Sequence, residues 1–316
     1  MTDAHVRAAL QRTLTWYETL GYAPTRFELA QTISLLPPES LLDLKVQYVL
    51  PVLSACLTAG TLVEKNARVF FTSSAEPLAS ELASRDLYQP RKRRRARWVA
   101  RWLACVPGVR LVALANTTAL GYARDEGDLD FLVVTRAGSL WMTRLLAGLP
   151  FRLLRLTPRD GYERDAICLS YFVADDALDL TSHQLAQDDP YFRYWFLSLL
   201  PLYDDGVSHQ LWEANANIRS VHPLARPWIA PPDFRVRSWR DGAPRLRRAL
   251  LLVTGWFEPL ARALQSRWFP KQIKERMNRD TTVMVSDQVL KFHVTDARAE
   301  YREKYLTLCR QRSIEL

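Results

Sequence analysis

Residues 109–135 read VRLVALANTTALGYARDEGDLDFLVVT, and no other stretch limits the fold as much. Val109 to Ala115 and Leu129 to Val134 are short apolar runs, the pattern of strands buried on both faces. A polar turn ending at Gly127 separates them. Asp128 and Asp130 open the second run two residues apart. Because side chains alternate along a strand, both carboxylates leave one face about 7 Å apart along the backbone. Two acids so placed repel each other unless something positive neutralises them. Mg2+ suits the role, since it takes hard oxygen ligands and is shared between carboxylates and substrate phosphates. Without context, the pair reads equally as a turn cap at Asp128 and an exposed acid at Asp130.

The chain before this segment is helical in pattern. Val6, Leu10, Leu14 and Tyr17 recur at helical spacing, with Gly21 placed to end the helix. Thr25 is an N-cap for a second helix, with Glu28 three residues on. Pro37 and Pro38 break that helix, and Ser40 opens a third that runs to Ala59. TLVEKNARVFFT then gives two short strands around Lys65-Asn66. Three helices and a hairpin is the order of a winged helix-turn-helix, or of a helical cap packed on the next domain. Residues 40–58 offer only Lys45 and Gln47 to read DNA, so sequence-specific DNA binding is the lesser reading. A length of 316 residues allows two or three domains, and 48% hydrophobic against 24% charged residues excludes wholesale disorder. Cys56, Cys105, Cys168 and Cys309 are widely spaced with no CxxC, which argues for reduced thiols and a cytoplasmic setting. The N-terminus lacks the apolar core of a signal peptide, and no run reaches the ~18 apolar residues of a membrane span. The longest candidate, Ala249 to Ala263, is interrupted by Thr254, Gly255, Glu258, Pro259 and Arg262 and reads as a buried or interfacial helix.

Net charge is +9, and PRKRRRARWVARW supplies much of it through Arg91, Lys92, Arg93, Arg94, Arg95, Arg97 and Arg101. Two readings stand for this segment. One is an amphipathic linker helix whose Trp98, Trp102 and Leu103 face the core; the other is a platform for polyphosphate or RNA across residues 91–101. A second basic, aromatic segment runs from Arg235 to Arg248.

The DxD region resembles the nucleotidyltransferase superfamily that includes DNA polymerase beta, kanamycin nucleotidyltransferase and the minimal nucleotidyltransferases. Their motif is a Gly-Ser turn, about ten residues, then an acid-x-acid pair on a strand. Here Asn116-Thr117 stands in the place of Gly-Ser, residues 118–127 intervene, and Asp128-Leu129-Asp130 follows. The chain is similar in more detail to an uncharacterised group of bacterial nucleotidyltransferase-like proteins with a TGSLAxxNA segment, then DIDLLVVT and LWxxR. Ala115 to Ala123, Asp128 to Thr135 and Leu140 to Arg144 correspond. The likeness extends through ICLSYF, EANANI and LKFHVTDAR, from about residue 90 onward. It implies an α/β (α+β) mixed-sheet core with Mg2+ or Mn2+ on Asp128 and Asp130 as metal and catalytic residues. It implies a nucleoside triphosphate contacted by Asn116, Thr117, Thr118 and Arg144, and transfer of a nucleoside monophosphate to a small-molecule, protein or RNA acceptor.

Two departures stand out. Asn116 replaces the glycine that lets backbone approach a phosphate, while Thr117 keeps a hydroxyl. The strand RDAICLSYFVADD has Cys168 and Ser170 on one face, Ile167, Leu169 and Tyr171 on the other, and acids only at its ends, Asp165 and Asp175. Either an end aspartate completes the metal site, or two carboxylates serve alone and the chain is a catalytically degraded nucleotide- or nucleic-acid-binding module. His5, His183, His209 and His222 show no metal spacing and are expected at the surface or at caps. His293 can form a polar cluster with Asp296 and Arg298 on a helical turn. Trp195, Trp212, Trp256 and Trp268 are expected in the core. The sequence thus divides into a winged-helix-like domain (1–88), a nucleotidyltransferase core (89–180) and a helical C-terminal region (181–316).

Overall fold

The computed structural model describes residues 2–35, 44–159, 161–238, 251 and 254–315. The expected break at Pro37-Pro38 and most of the second basic segment lie outside those residues; the third helix, expected from Ser40, is corrected to start at Val46, with Lys45 extended before it. The chain opens with α1 (Asp3–Thr19), α2 (Arg26–Gln31) and α3 (Val46–Thr58), followed by the strands β1 (Leu62–Lys65) and β2 (Arg68–Phe71). Gly21 follows α1 with φ +69°, and Thr25 and Glu28 cap α2 reciprocally. β1 and β2 form an antiparallel hairpin whose turn residues Asn66 and Ala67 both have positive φ, the twist a two-residue hairpin turn requires. Leu10, Leu29, Ile33, Leu53 and Val69 make the core of this module, and Cys309 and Ile314 from the far end of the chain complete it. The helix Arg298–Gln311 packs along α1, and Arg312 binds both oxygens of Glu18 at 2.8 and 2.9 Å.

Two helices, α4 (Ala75–Asp86) and α5 (Gln89–Cys105), lead into β3 (Val109–Leu114), the one-turn α6 (Asn116–Ala119), β4 (Leu129–Thr135), α7 (Leu140–Leu153) and β5 (Ile167–Ala174). Then come α8 (Pro190–Leu197), β6 (Leu200–Asp204), α9 (Ser208–Ala214), α10 (Ala216–Arg219), the helix Glu258–Trp268, and β7 (Val283–Val285) with β8 (Val289–Phe292). The larger sheet runs β6-β3-β4-β5-β8-β7, with β4 and β5 parallel and the other neighbours antiparallel. Leu129, Phe131 and Val133 face a layer formed by α5, α7 and the helix Glu258–Trp268. Leu132 and Val134 face the opposite layer, formed by α8, α9 and α10. The fold is therefore mixed α/β with a helical layer on each face of the sheet.

The expectation of a helical region over 181–316 is corrected: β6, β7 and β8 all lie in it and extend the sheet. Short strands of three to five residues give little period-two signal, so they are hard to read from sequence. The expectation for α5 is corrected too. Its buried face is Ala96, Val99, Ala100, Leu103 and Ala104, while Trp98 and Trp102 are exposed. Trp98 lies under Arg95, and the Trp102 indole donates to Ala147 O. Trp195 and Trp212 are in the core as expected, but Trp256 and Trp268 are exposed. His183 and His222 are buried joints rather than surface groups: His183 pairs with the Tyr171 hydroxyl, and His222 donates to Thr32 O at 2.9 Å. All four cysteines are free. Among the described residues, no helix is long and apolar enough to cross a membrane.

Candidate active site

The hydrophobic alternation of β4 sends Leu129 and Phe131 into one layer, so Asp130 must face the other. The loop before it is held from below. Buried Lys92 donates to Gly127 O and to Asp125 O and forms a 3.0 Å ion pair with Asp165. Arg91 binds both Asp125 and Asp165, and the Asp165 N–H donates to Gly127 O. Two residues of the basic segment are thus spent on fixing the acidic loop that delivers Asp128. The Ala115 N–H donates to Asp130 O, carrying the β3–β4 pairing up to the turn, where Asn116 adopts φ +56°. From there its Nδ2 donates to Asp130 Oδ2 at 2.6 Å.

On the adjacent parallel strand, Cys168 lies opposite Asp130. One ligand atom from each of Asp128, Asp130 and Cys168 lies within 4.8 Å of the other two. Burial first, and then the negative charge of Asp130, hold the Asp128 carboxyl well above the usual carboxylate range. Burial also raises Asp130, against the opposing hydrogen bonds from Asn116 and Cys168. The Cys168 thiol is pushed up by burial and by the two carboxylates. The site is short of positive charge. Two carboxylates suit a divalent cation such as Mg2+ or Mn2+, with the rest of the shell left to phosphate oxygens and water, whereas the thiol is a soft ligand that suits Mg2+ poorly.

Neither end aspartate supplies the third carboxylate. Asp165 is held by Arg91 and Lys92, and Asp175 by Arg110 and the Ala137 N–H. The thiol stands in that place.

The register of β4 and β5 shifts between Asp130 and Leu132, so Leu169 and Ser170 together oppose Phe131. That bulge moves Tyr171 off the Ile167 face, where strict alternation would put it, into the α8 layer. Ser170, on the same face of the strand as Cys168, borders a cavity of about 200 Å3 lined also by Asn116, Asp130, Lys291, His293, Asp296 and Arg298. Cys168 Sγ lies 3.3 Å from Ser170 Oγ, and Ser170 Oγ lies 3.0 Å from His293 Nε2. Burial pulls the His293 imidazole down to about 4, so it is neutral at pH 7. His293 is therefore in the loop after β8 and bound to Ser170, not on a helical turn with Asp296 and Arg298. Arg298 is tied to Asp296, Asp189, His183 O and Thr281. Lys291 is only 1% exposed, lies over Tyr171 and Phe192, and is pulled down to about 7 by burial and then by Arg298.

Of the residues singled out in the sequence, Asp128, Asp130 and Asn116 come together. Thr117 borders a neighbouring cavity that shares Asn116, and Thr118 is buried. Arg144 projects from α7 in the other layer, where it donates to Gln265 Oε1 at 2.6 Å and stacks 4.6 Å from Phe292. Ser170 and Lys291 were not anticipated. The signal for Lys291 is a charge between the apolar Leu290 and Phe292 on a strand; that for Ser170 is its place two residues after Cys168 on the same strand face.

The fold and site together define an α/β protein with a carboxylate pair at the mouth of a mixed sheet. No family model, no curated protein and no solved structure matches the chain.

Proposed function

We propose that the chain is a nucleotidyltransferase, moving a nucleoside monophosphate from a nucleoside triphosphate to a hydroxyl or phosphate acceptor. The observation that carries this reading is the convergence of Asp128 and Asp130 at the start of a buried strand, beside a turn held by Asn116. Mg2+ or Mn2+ held by that pair would neutralise triphosphate charge and fix in-line geometry. Asn116 fixes the Asp130 side chain, and the Thr117 hydroxyl serves a phosphate oxygen. Lys291 puts an ammonium on the opposite wall. Neutral His293, hydrogen-bonded to Ser170, fixes that hydroxyl on the cavity wall. In this reading the N-terminal three helices and hairpin form a winged-helix-like module.

The test compares wild type with Asp128→Asn/Asp130→Asn in a screen of labelled ATP, GTP, CTP and UTP with Mg2+ or Mn2+ and a mixed acceptor pool. Transfer by wild type and a loss of at least about a hundredfold in the variant is expected; equal transfer by both proteins would refute the assignment.

A second reading, a degraded nucleotide- or nucleic-acid-binding module, is favoured by Cys168 in the third ligand position and by the Asn116 amide on Asp130. It is distinguished by nucleotide binding without label transfer.

A further inference from the structure

A second cavity, of about 420 Å3, opens between α7 and the helix Glu258–Trp268 and reaches Cys168 and Ser170 from the other layer. It exists because β8 pairs with β5 only from Tyr171 onward, which leaves the edge of residues 167–170 uncovered on that side. Its wall is apolar, built from Leu145, Ile167, Leu169, Ile273 and Phe292. The exposed side chains Leu149 and Trp268 flank its mouth.

One charged group faces this apolar wall from within. Arg144 stacks on Phe292 and Phe269 and hydrogen-bonds Gln265 Oε1. Its Nε has no hydrogen-bond partner, and no carboxylate among the described residues forms an ion pair with it. The charge that acts on it is another cation, Arg152, which lines the same cavity. Burial draws its pKa down to about 10, which still leaves it charged at pH 7. An enclosed guanidinium without a counterion is costly unless a ligand supplies one.

We infer that this cavity binds an amphipathic anion, a single carboxylate or phosphate head on an apolar body, with the head on Arg144 and Arg152 and the body along the Leu145–Phe292 wall. Three features lead to it. The cavity volume falls within the ~300–1,000 Å3 of small-molecule sites, its lining is mostly apolar, and the unpaired charge is a planar fork suited to a carboxylate or phosphate. The inference holds whether or not the chain transfers nucleotides.

The test is calorimetric titration of the full chain with dodecanoate, dodecyl phosphate and dodecanol, each below its micelle concentration, without nucleotide. One anion per chain is expected to bind, with dodecanol at least tenfold weaker. Arg144→Met, which replaces the charge by an apolar side chain of similar length, is expected to keep or raise the melting temperature and lose at least tenfold in affinity. Gly148 lines the cavity, and a Cβ there would meet nothing within 4 Å. Gly148→Leu is therefore expected to keep Arg144 in place and abolish binding by filling the space. No binding of either anion, equal binding of dodecanol, full affinity in Arg144→Met or Gly148→Leu, or uptake only by phosphatidylglycerol vesicles would each overturn the assignment.

Discussion

At the scale of single residues, Asn116 shows how backbone and chemistry are joined. Its φ of +56° lies in the left-handed region that glycine and asparagine occupy at least cost. Asparagine holds this conformation and adds an amide whose Nδ2 donates to Asp130 Oδ2. Asn116→Ala should lose about 1–2 kcal/mol of stability from backbone strain, while Asn116→Gly should stay within about 1 kcal/mol of wild type in urea denaturation. Equal losses in both variants would put the cost in the lost hydrogen bond instead. That Asp128 and Asp130 lie close together was legible from their spacing, while their reading as a metal pair came from the resemblance. Cys168 was visible as a residue but not as the third member of the cluster, because its place depends on which residue of β5 pairs with Asp130. Arg144 shows the same limit: a motif position next to the DxD strand says nothing of which layer the helix enters.

At the scale of elements, the turn between α5 and β3 is the tightest joint beneath the site. Gly108 has φ +88°, and a Cβ there would run into the Thr143 hydroxyl and come within 2.7 Å of Ser139 Oγ at the start of α7. Gly108→Ala should therefore cost about 2–4 kcal/mol, read as a lower urea midpoint at unchanged m-value; a change below about 1 kcal/mol would mean that α7 moves away freely. For α5, helical periodicity gave the correct buried stripe at Leu103 and the wrong partners at Trp98 and Trp102, since alanines allow the close approach to β3 that indoles would block. Arg91 and Lys92 are engaged internally. Any nucleic-acid contact through 91–101 then falls to Arg93, Arg94, Arg95, Arg97 and Arg101. Arg94→Glu/Arg101→Glu should flatten the log-affinity against log-salt slope for duplex DNA by about 2, in fluorescence anisotropy; an unchanged slope would locate binding elsewhere.

At the scale of the whole molecule, buried histidines join the parts and set the response to acid. His222 packs against Tyr194 and bonds the end of α2, and burial first, then Arg193, hold it down to about 3, with Asp188 opposing. In the unfolded chain it takes up a proton near pH 6.5, so the unfolded state gains protons as pH falls below that point and stability drops with it. His222→Gln should be less stable than wild type at pH 7, and the gap should shrink by about 2 kcal/mol between pH 6.5 and 4.5. A constant gap in denaturation series at the two pH values would exclude this linkage. The central strands were legible as unbroken apolar runs, the first helices by their helical spacing, and the hairpin by its turn at Lys65-Asn66. The sheet's outer strands were not, because they are three to five residues long and are defined by partners far along the chain. The distance between partners is greatest where Cys309 and Ile314 enter the core beside Leu10 and Val49. During synthesis the first module therefore remains an unfinished fold, its apolar face open for nearly the whole time the ribosome takes to reach these residues. Its core can close only after those residues have been made, however fast the local contacts of its own helices form.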